Sequence, residues 1–240
     1  MTSTLTGSEP RARSSLRIPG LTAKRLELLS ALILALGGTL TAWAAFQAAK
    51  WSGLQSIAFS RAAAARVQAT EASTKAGQQY LLDALLFSDW VQAVSHESER
   101  EGRSAESIRF VADPSKLSGF IYERFRPEFR PAVDAWLATR PLRNPDAPAT
   151  PFAMAEYRLE TRAKAERLNA LAEREATSAL EDNGHSDRYV LTTVILASAL
   201  FFAGVSMKVD ARSTRMLMIA VAGSILLLAL GLLLSFPVIF

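Results

Sequence analysis

Residues 28–49 read LLSALILALGGTLTAWAAFQAA, an uncharged run held between Glu27 and Lys50. A helix rises ~1.5 Å per residue, so roughly 20 residues cover the hydrocarbon core of a bilayer. The run is long enough to cross, and with its flanks it defines a first span over residues 26–51. Apolar character passes through Trp51 into an alanine-rich stretch, which joins the span to the following region without a break. A rival reading makes Ala42-Trp43-Ala44 the cleavage point of a signal peptide. The long basic leader and the lack of a helix breaker after Ala44 argue against it.

The 240 residues are 50% hydrophobic and 21% charged, and the apolar ones gather in three blocks. That is the distribution of membrane spans plus one soluble domain. A net charge of +4 invites a nucleic-acid reading, but position decides against it. Arg11, Arg13, Arg17, Lys24 and Arg25 precede the first span, and Lys208, Arg212 and Arg215 lie between the last two. Residues 52–188, by contrast, carry 18 basic and 20 acidic side chains. The basic excess is therefore a topology signal, and no nucleic-acid partner is expected. The chain has no cysteine, which excludes disulfide and thiolate chemistry.

The expected class is all-α: three transmembrane helices and an extracytoplasmic helical domain resembling a stalk or coiled coil. Residues 1–25, polar and basic, read as a disordered arm. Residues 52–188 read as the extracytoplasmic domain. Within it we expect a long helix over 52–97, short helices over 115–126 and 131–140, a proline strap over 141–151 and a return helix over 152–182. Pro141, Pro145, Pro148 and Pro151 make the strap largely polyproline-like. Thr150 and Pro151 suit the start of the return helix, and Asn183-Gly184 suits its stop. Spans over 189–207 and 216–240 then form a hairpin about a cytoplasmic turn, 208–215. The positive-inside rule places the N-terminus in the cytoplasm and the C-terminus outside.

Small residues recur along the first helical run. Ala31, Ala35, Gly38, Ala42, Ala45, Ala49, Ser52 and Ser56 form one stripe, and Ala58, Ala62, Ala65, Ala69, Ala72 and Ala76 form a second seam. Stripes of this kind permit close helix contact, either within the chain or with a homo-oligomeric or membrane-protein partner. The second seam is matched by Ala165, Leu168, Ala172, Ala176 and Ala179 on the return helix.

Two groups of side chains invite a chemical reading. Tyr122, Arg124, Arg126, Phe129, Arg130 and Trp136 place guanidinium groups among aromatic rings, which suits either anion binding or structural stacking. Asp182, His185 and Asp187 offer two carboxylates and an imidazole for zinc or acid-base chemistry, although a turn accounts for them more simply. Asp83 and Asp89 lie six residues apart on different helix faces and read as solvated. No phosphate loop, nucleophile elbow or paired-histidine metal helix is present, and no cofactor is expected.

The runs Phe125-Arg-Pro-Glu-Phe-Arg-Pro-Ala-Val-Asp-Ala-Trp-Leu, Asn144-Pro-Asp-Ala-Pro, Pro151-Phe-Ala-Met and Phe201-Phe-Ala-Gly, with Trp43 to Trp51, resemble an uncharacterised bacterial family of three-span membrane proteins. The resemblance covers about residues 26–236. It implies the architecture and a bacterial inner membrane, but brings no assigned activity and no functional residues. The expected role is thus a non-enzymatic interaction, scaffold or ligand-sensing protein in the lipid bilayer. A membrane-surface enzyme or metal-binding protein using Asp182, His185 and Asp187, or a pore-forming oligomer, is the alternative.

Overall fold

A computed structural model describes residues 23–102 and 110–239. The expected disordered arm lies outside the described residues as far as residue 22. Among the described residues the fold is all-helical: α1 Ala23–Arg100, α2 Leu117–Tyr122, α3 Arg130–Ala138, α4 Glu160–Ser206 and α5 Arg212–Ser235, with a 3-10 turn at Pro151–Ala153. Helices α1, α4 and α5 are each long and apolar enough to cross a membrane, as in a multi-pass membrane protein. Of their most apolar stretches only 22%, 33% and 28% is buried, so most of each faces outward. Water would penalise that exposure, whereas hydrocarbon would not.

No proline interrupts α1, so one helix carries both the first apolar run and the alanine-rich stretch. It stops at Gly102, whose φ of 64° suits a glycine just beyond a helix end, and whose N–H donates to the Glu99 carbonyl at 3.1 Å.

The chain divides into two compact units, one made of the segments up to Gly53 and from Asp182 onward, the other of Leu54–Glu181. In the first unit, Leu26, Ile33, Ala44 and Ala48 of α1 pack with Tyr189, Leu196, Ala199 and Ala203 of α4 and with Ile219, Ala222, Leu226, Ala229 and Leu233 of α5. Small residues allow close approach. A Cβ on Gly37 would lie 2.7 Å from a methyl of Leu200, and Ser30 meets Ser206 at 2.9 Å between hydroxyls. The stripe Ala31, Ala35, Gly38, Ala42, Ala45, Ala49 is exposed. It is not the contact face within this chain: Ser30, Gly37, Ala44 and Ala48, each one residue before a member of that stripe, are buried together with Leu26 and Ile33.

The second unit joins a long alanine seam to an aromatic core. Ala58, Ala62, Ala65, Ala69, Ala72 and Ala76 are all buried, as are Ala165, Ala172 and Ala179. Thr161 donates to Gln79 at 2.6 Å, and a crevice of about 320 Å³ is walled by Ser73, Ala76 and Gly77 on α1 and by Arg162, Ala165 and Asn169 on α4. Numbers fall along α1 as they rise along α4, so within this unit the two helices run antiparallel. Beyond the seam, Phe87 and Trp90 of α1 enclose Phe125, Phe129, Ala132 and Val133, with Phe110, Tyr122, Trp136, Phe152 and Tyr157 around them.

Several expected boundaries are corrected. The return helix does not start at residue 152. Pro151 opens only one 3-10 turn, because Phe152 and Tyr157 both enter the aromatic core, and five helical residues would point them about 140° apart. It does not stop at 182 either, since α4 passes through Asn183-Gly184 to Ser206. Asn183 donates to Asp187 one turn on, and Ser186 Oγ donates to the Ala48 carbonyl, so packing on that stretch outweighs the roughly 1 kcal/mol that glycine costs a helix.

α2 covers Leu117–Tyr122 rather than 115–126, since the chain tightens into 3-10-type bonds such as Phe125 N–H to Tyr122 carbonyl before Pro127. α3 ends at Ala138 rather than 140, where Arg140 turns left-handed at φ 55°. The proline strap is a set of turns rather than a polyproline run. Asn144 accepts the Asp146 N–H on its side chain, and its own N–H reaches the Arg140 carbonyl. The basic turn is shorter than 208–215, as α5 begins at Arg212, and α5 ends before Pro237, which draws Phe236 into an extended conformation.

Candidate functional site

The polar centre of the second unit is Asp83, a residue that the sequence places on a solvated face. In the structure it is fully buried. Its two carboxylate oxygens accept from Arg126 Nε at 3.0 Å and Nη2 at 2.6 Å, and Tyr157 OH donates to Oδ2 at 3.0 Å. Asp89 remains exposed. A buried carboxylate is costly unless paired and hydrogen-bonded, and a two-point guanidinium with a phenol meets that condition. The Arg126 ionisation is pushed up, chiefly by its bond to Asp83, and that of Tyr157 is pushed up by burial and then by the Asp83 charge.

The remaining guanidinium and aromatic groups are also engaged internally. Arg124 lies 3.3 Å above the Phe120 ring and donates to the Phe120 carbonyl. Arg130 donates to the carbonyls of Glu123 and Phe125. Tyr122 OH bonds Asp134, and burial followed by that bond raises its pKa to about 12. Phe129 is fully buried and stacks on Phe152 with centroids 5.2 Å apart, while Trp136 Nε1 donates to the Pro148 carbonyl at 2.7 Å and ties the proline-rich turns to α3. The six residues expected to offer an anion site are brought together, but their donors bind backbone and carboxylate oxygens of this chain. Glu97 extends the pattern: its carboxylate accepts from Ser118 N–H at 2.9 Å and Oγ at 2.6 Å and so caps α2 from α1.

Asp182, His185 and Asp187 do not converge on a common point. Asp187 accepts from Asn183, and the His185 ring packs on Trp51, tilted by 38° with centroids 4.4 Å apart. Among the described residues no three metal-ligating side chains come together.

The second unit also presents an open apolar face. Leu81, Leu82 and Leu85 of α1 are 60%, 56% and 63% exposed, and i,i+3 and i,i+4 spacing puts them side by side. Sequence reasoning missed both this face and Asp83. Tyr80 to Val94 is almost continuously apolar, and without the positions of α2, α3 and α4 no periodicity separates its inner side from its outer one.

Comparison with known proteins finds no matching family model, no matching curated protein and no matching solved structure. Function is therefore argued from these residues alone.

Proposed function

We propose that this is a non-enzymatic membrane protein that binds a partner protein through the unit Leu54–Glu181, held on the extracytoplasmic side of a bacterial inner membrane. The observation that carries the reading is the contrast within that unit. The guanidinium and aromatic groups around Asp83, Tyr122 and Arg130 are engaged internally, whereas Leu81, Leu82 and Leu85 form an exposed apolar face on a helix. Exposed leucines at adjacent helix positions are costly in water and are a common basis of helix-mediated recognition. The basic residues Lys24, Arg25, Lys208, Arg212 and Arg215 support the orientation, since they flank the apolar runs on the side assigned to the cytoplasm.

Site-specific photocrosslinking in native membranes tests the partner. A photoreactive residue at Leu85 is expected to yield a discrete adduct that disappears when Leu81 is changed to Glu, while the same probe at exposed Arg167 yields none. Absence of an adduct at Leu85, or equal yields at the two positions, sinks the reading. Alkaline phosphatase fusions decide the orientation, with activity expected at Asn144 and not at Ser213.

A further inference from the structure

We infer that Gln47 is a binding site for the main chain of an extended peptide segment, and that residues 236–239 of this chain are its resident occupant. Gln47 is fully buried on α1 among apolar residues of the first unit. Its carboxamide makes a two-bond pair with a single residue, Nε2 donating to the Ile239 carbonyl at 2.9 Å and Oε1 accepting the Ile239 N–H at 3.1 Å. The pair reads backbone rather than side chain. Two further donors converge on the residue two positions earlier: Tyr189 OH reaches the Pro237 carbonyl at 3.0 Å and Trp51 Nε1 reaches it at 3.3 Å. Tyr189 is itself fully buried, and its ring packs on Phe236 with centroids 5.3 Å apart.

Three side chains on two helices therefore recognise an extended segment by its carbonyl and amide groups at alternate residues, as a sheet edge recognises a strand. With residues 236–239 in place the Gln47 carboxamide is buried and both its polar atoms are paired, and loss of the segment removes both partners, so the site favours being filled. Pro237 keeps the occupant extended. It fixes its own φ, restricts Phe236, and has no N–H of its own to leave unpaired. Attachment to α5 gives the resident segment a high effective concentration, so a segment from another protein binds only when the resident one is released. The ligand class is an apolar extended peptide with proline two residues before the paired position. This site is independent of the Leu81–Leu85 face.

Two measurements test the inference. The chain lacks cysteine, so Ile239→Cys supplies a single thiol on a residue whose main chain still pairs with Gln47. Maleimide labelling in detergent is expected to rise roughly tenfold when Gln47→Leu is added, because the segment then opens more often. Equal rates in the two proteins overturn the resident pairing, and this arm uses the full chain. In the second arm, a chain ending at Ser235 is mixed with the peptide acetyl-Phe-Pro-Val-Ile-Phe-Lys-Lys-amide. Binding is expected, and is expected to be lost both with Gln47→Leu and when the peptide's isoleucine is N-methylated. Absence of binding to a truncated chain that keeps its helicity, or binding indifferent to both changes, overturns the receptor. A truncated chain that loses its helicity is replaced by the full-length Ile239→Cys protein with Gln47 intact: there, added peptide must hold the resident segment out and accelerate labelling, and an unchanged rate overturns the receptor.

Discussion

Asp83 and Arg126, 43 residues apart in sequence, meet through two hydrogen bonds of 2.6 and 3.0 Å, with the carboxylate fully buried and 23% of the Arg126 side chain exposed. The asymmetry in burial sets an asymmetry in consequence. Removing the guanidinium strands a buried charge, whereas removing the carboxylate leaves Arg126 a route to water and to Glu128 at 3.3 Å. Breaking a buried pair from the costly side is worth roughly 3–5 kcal/mol. Arg126→Met is therefore expected at about 3 kcal/mol, the lower end because the pair is partly exposed. Asp83→Asn keeps one acceptor oxygen, for Arg126 Nη2 and Tyr157 OH, and turns its Nδ2 toward the Arg126 Nε–H donor, but it strands no buried charge and is expected to cost less than Arg126→Met. Thermal or denaturant unfolding of the two variants in detergent checks the order.

The alanine seam makes a second comparison. In the register set by Thr161 with Gln79 and by Ala76 with Ala165, Ala69 falls opposite Ala172, and both are about 1% exposed. Ala69→Leu must push the helices apart, at a cost of roughly 1–3 kcal/mol. Gln68→Leu, on the exposed side of the same turn, is expected to be nearly neutral, since leucine is a good helix former. Equal melting of the two variants would show that α4 does not pack on the seam.

The seam from Ala58 to Ala76 was legible because small residues at alternating four- and three-residue steps permit close helix contact, but the same spacing from Ala31 to Ala49 marks an exposed stripe, so spacing alone does not name the contact face. The three long apolar helices were legible for a similar reason, as length and lack of charge suffice. The interior of the second unit was not. Asp83 carries no local mark of burial, because its partners Arg126 and Tyr157 come from distant segments. Asn183-Gly184 carries a misleading mark, a stop signal overridden by contacts that only the folded first unit provides. Thr150-Pro151 misleads in the same way, since the demand of the aromatic core for Phe152 and Tyr157 outweighs a good local start.

Alkali is expected to loosen the second unit. Tyr122 has its pKa raised from 10.0 to about 12 by burial and by its bond to Asp134, and Tyr157 is raised by burial and by Asp83. Each phenol holds its proton more tightly when folded than when unfolded. The resulting stability is therefore present in full below pH 10 and is lost as pH rises through the folded value, with the Tyr122 share lost between pH 10 and about 12. Tyr122→Phe should flatten the fall over that window, as followed by tyrosinate absorbance and unfolding midpoint together. An unchanged slope would mean that Tyr122 ionises as an ordinary exposed phenol.

Gly184 supplies a test in which the sign alone decides. A glycine that ends a helix in the left-handed conformation resists alanine, which meets a steric penalty of about 1 kcal/mol or more there. In the structure Gly184 instead lies inside α4, without positive φ, and a Cβ added to it meets nothing within 4 Å. Alanine at such a position gains helix propensity and narrows the unfolded ensemble, and is expected to stabilise by about 0.5–1 kcal/mol. Gly119→Ala supplies the contrast, because its Cβ would sit 2.0 Å from the Asp113 carbonyl oxygen, a backbone atom that does not yield cheaply. A raised melting temperature for Gly184→Ala beside a lowered one for Gly119→Ala is the expected pair. A lowered one for Gly184→Ala would restore the helix stop at Asn183-Gly184 and divide α4 there into two helices.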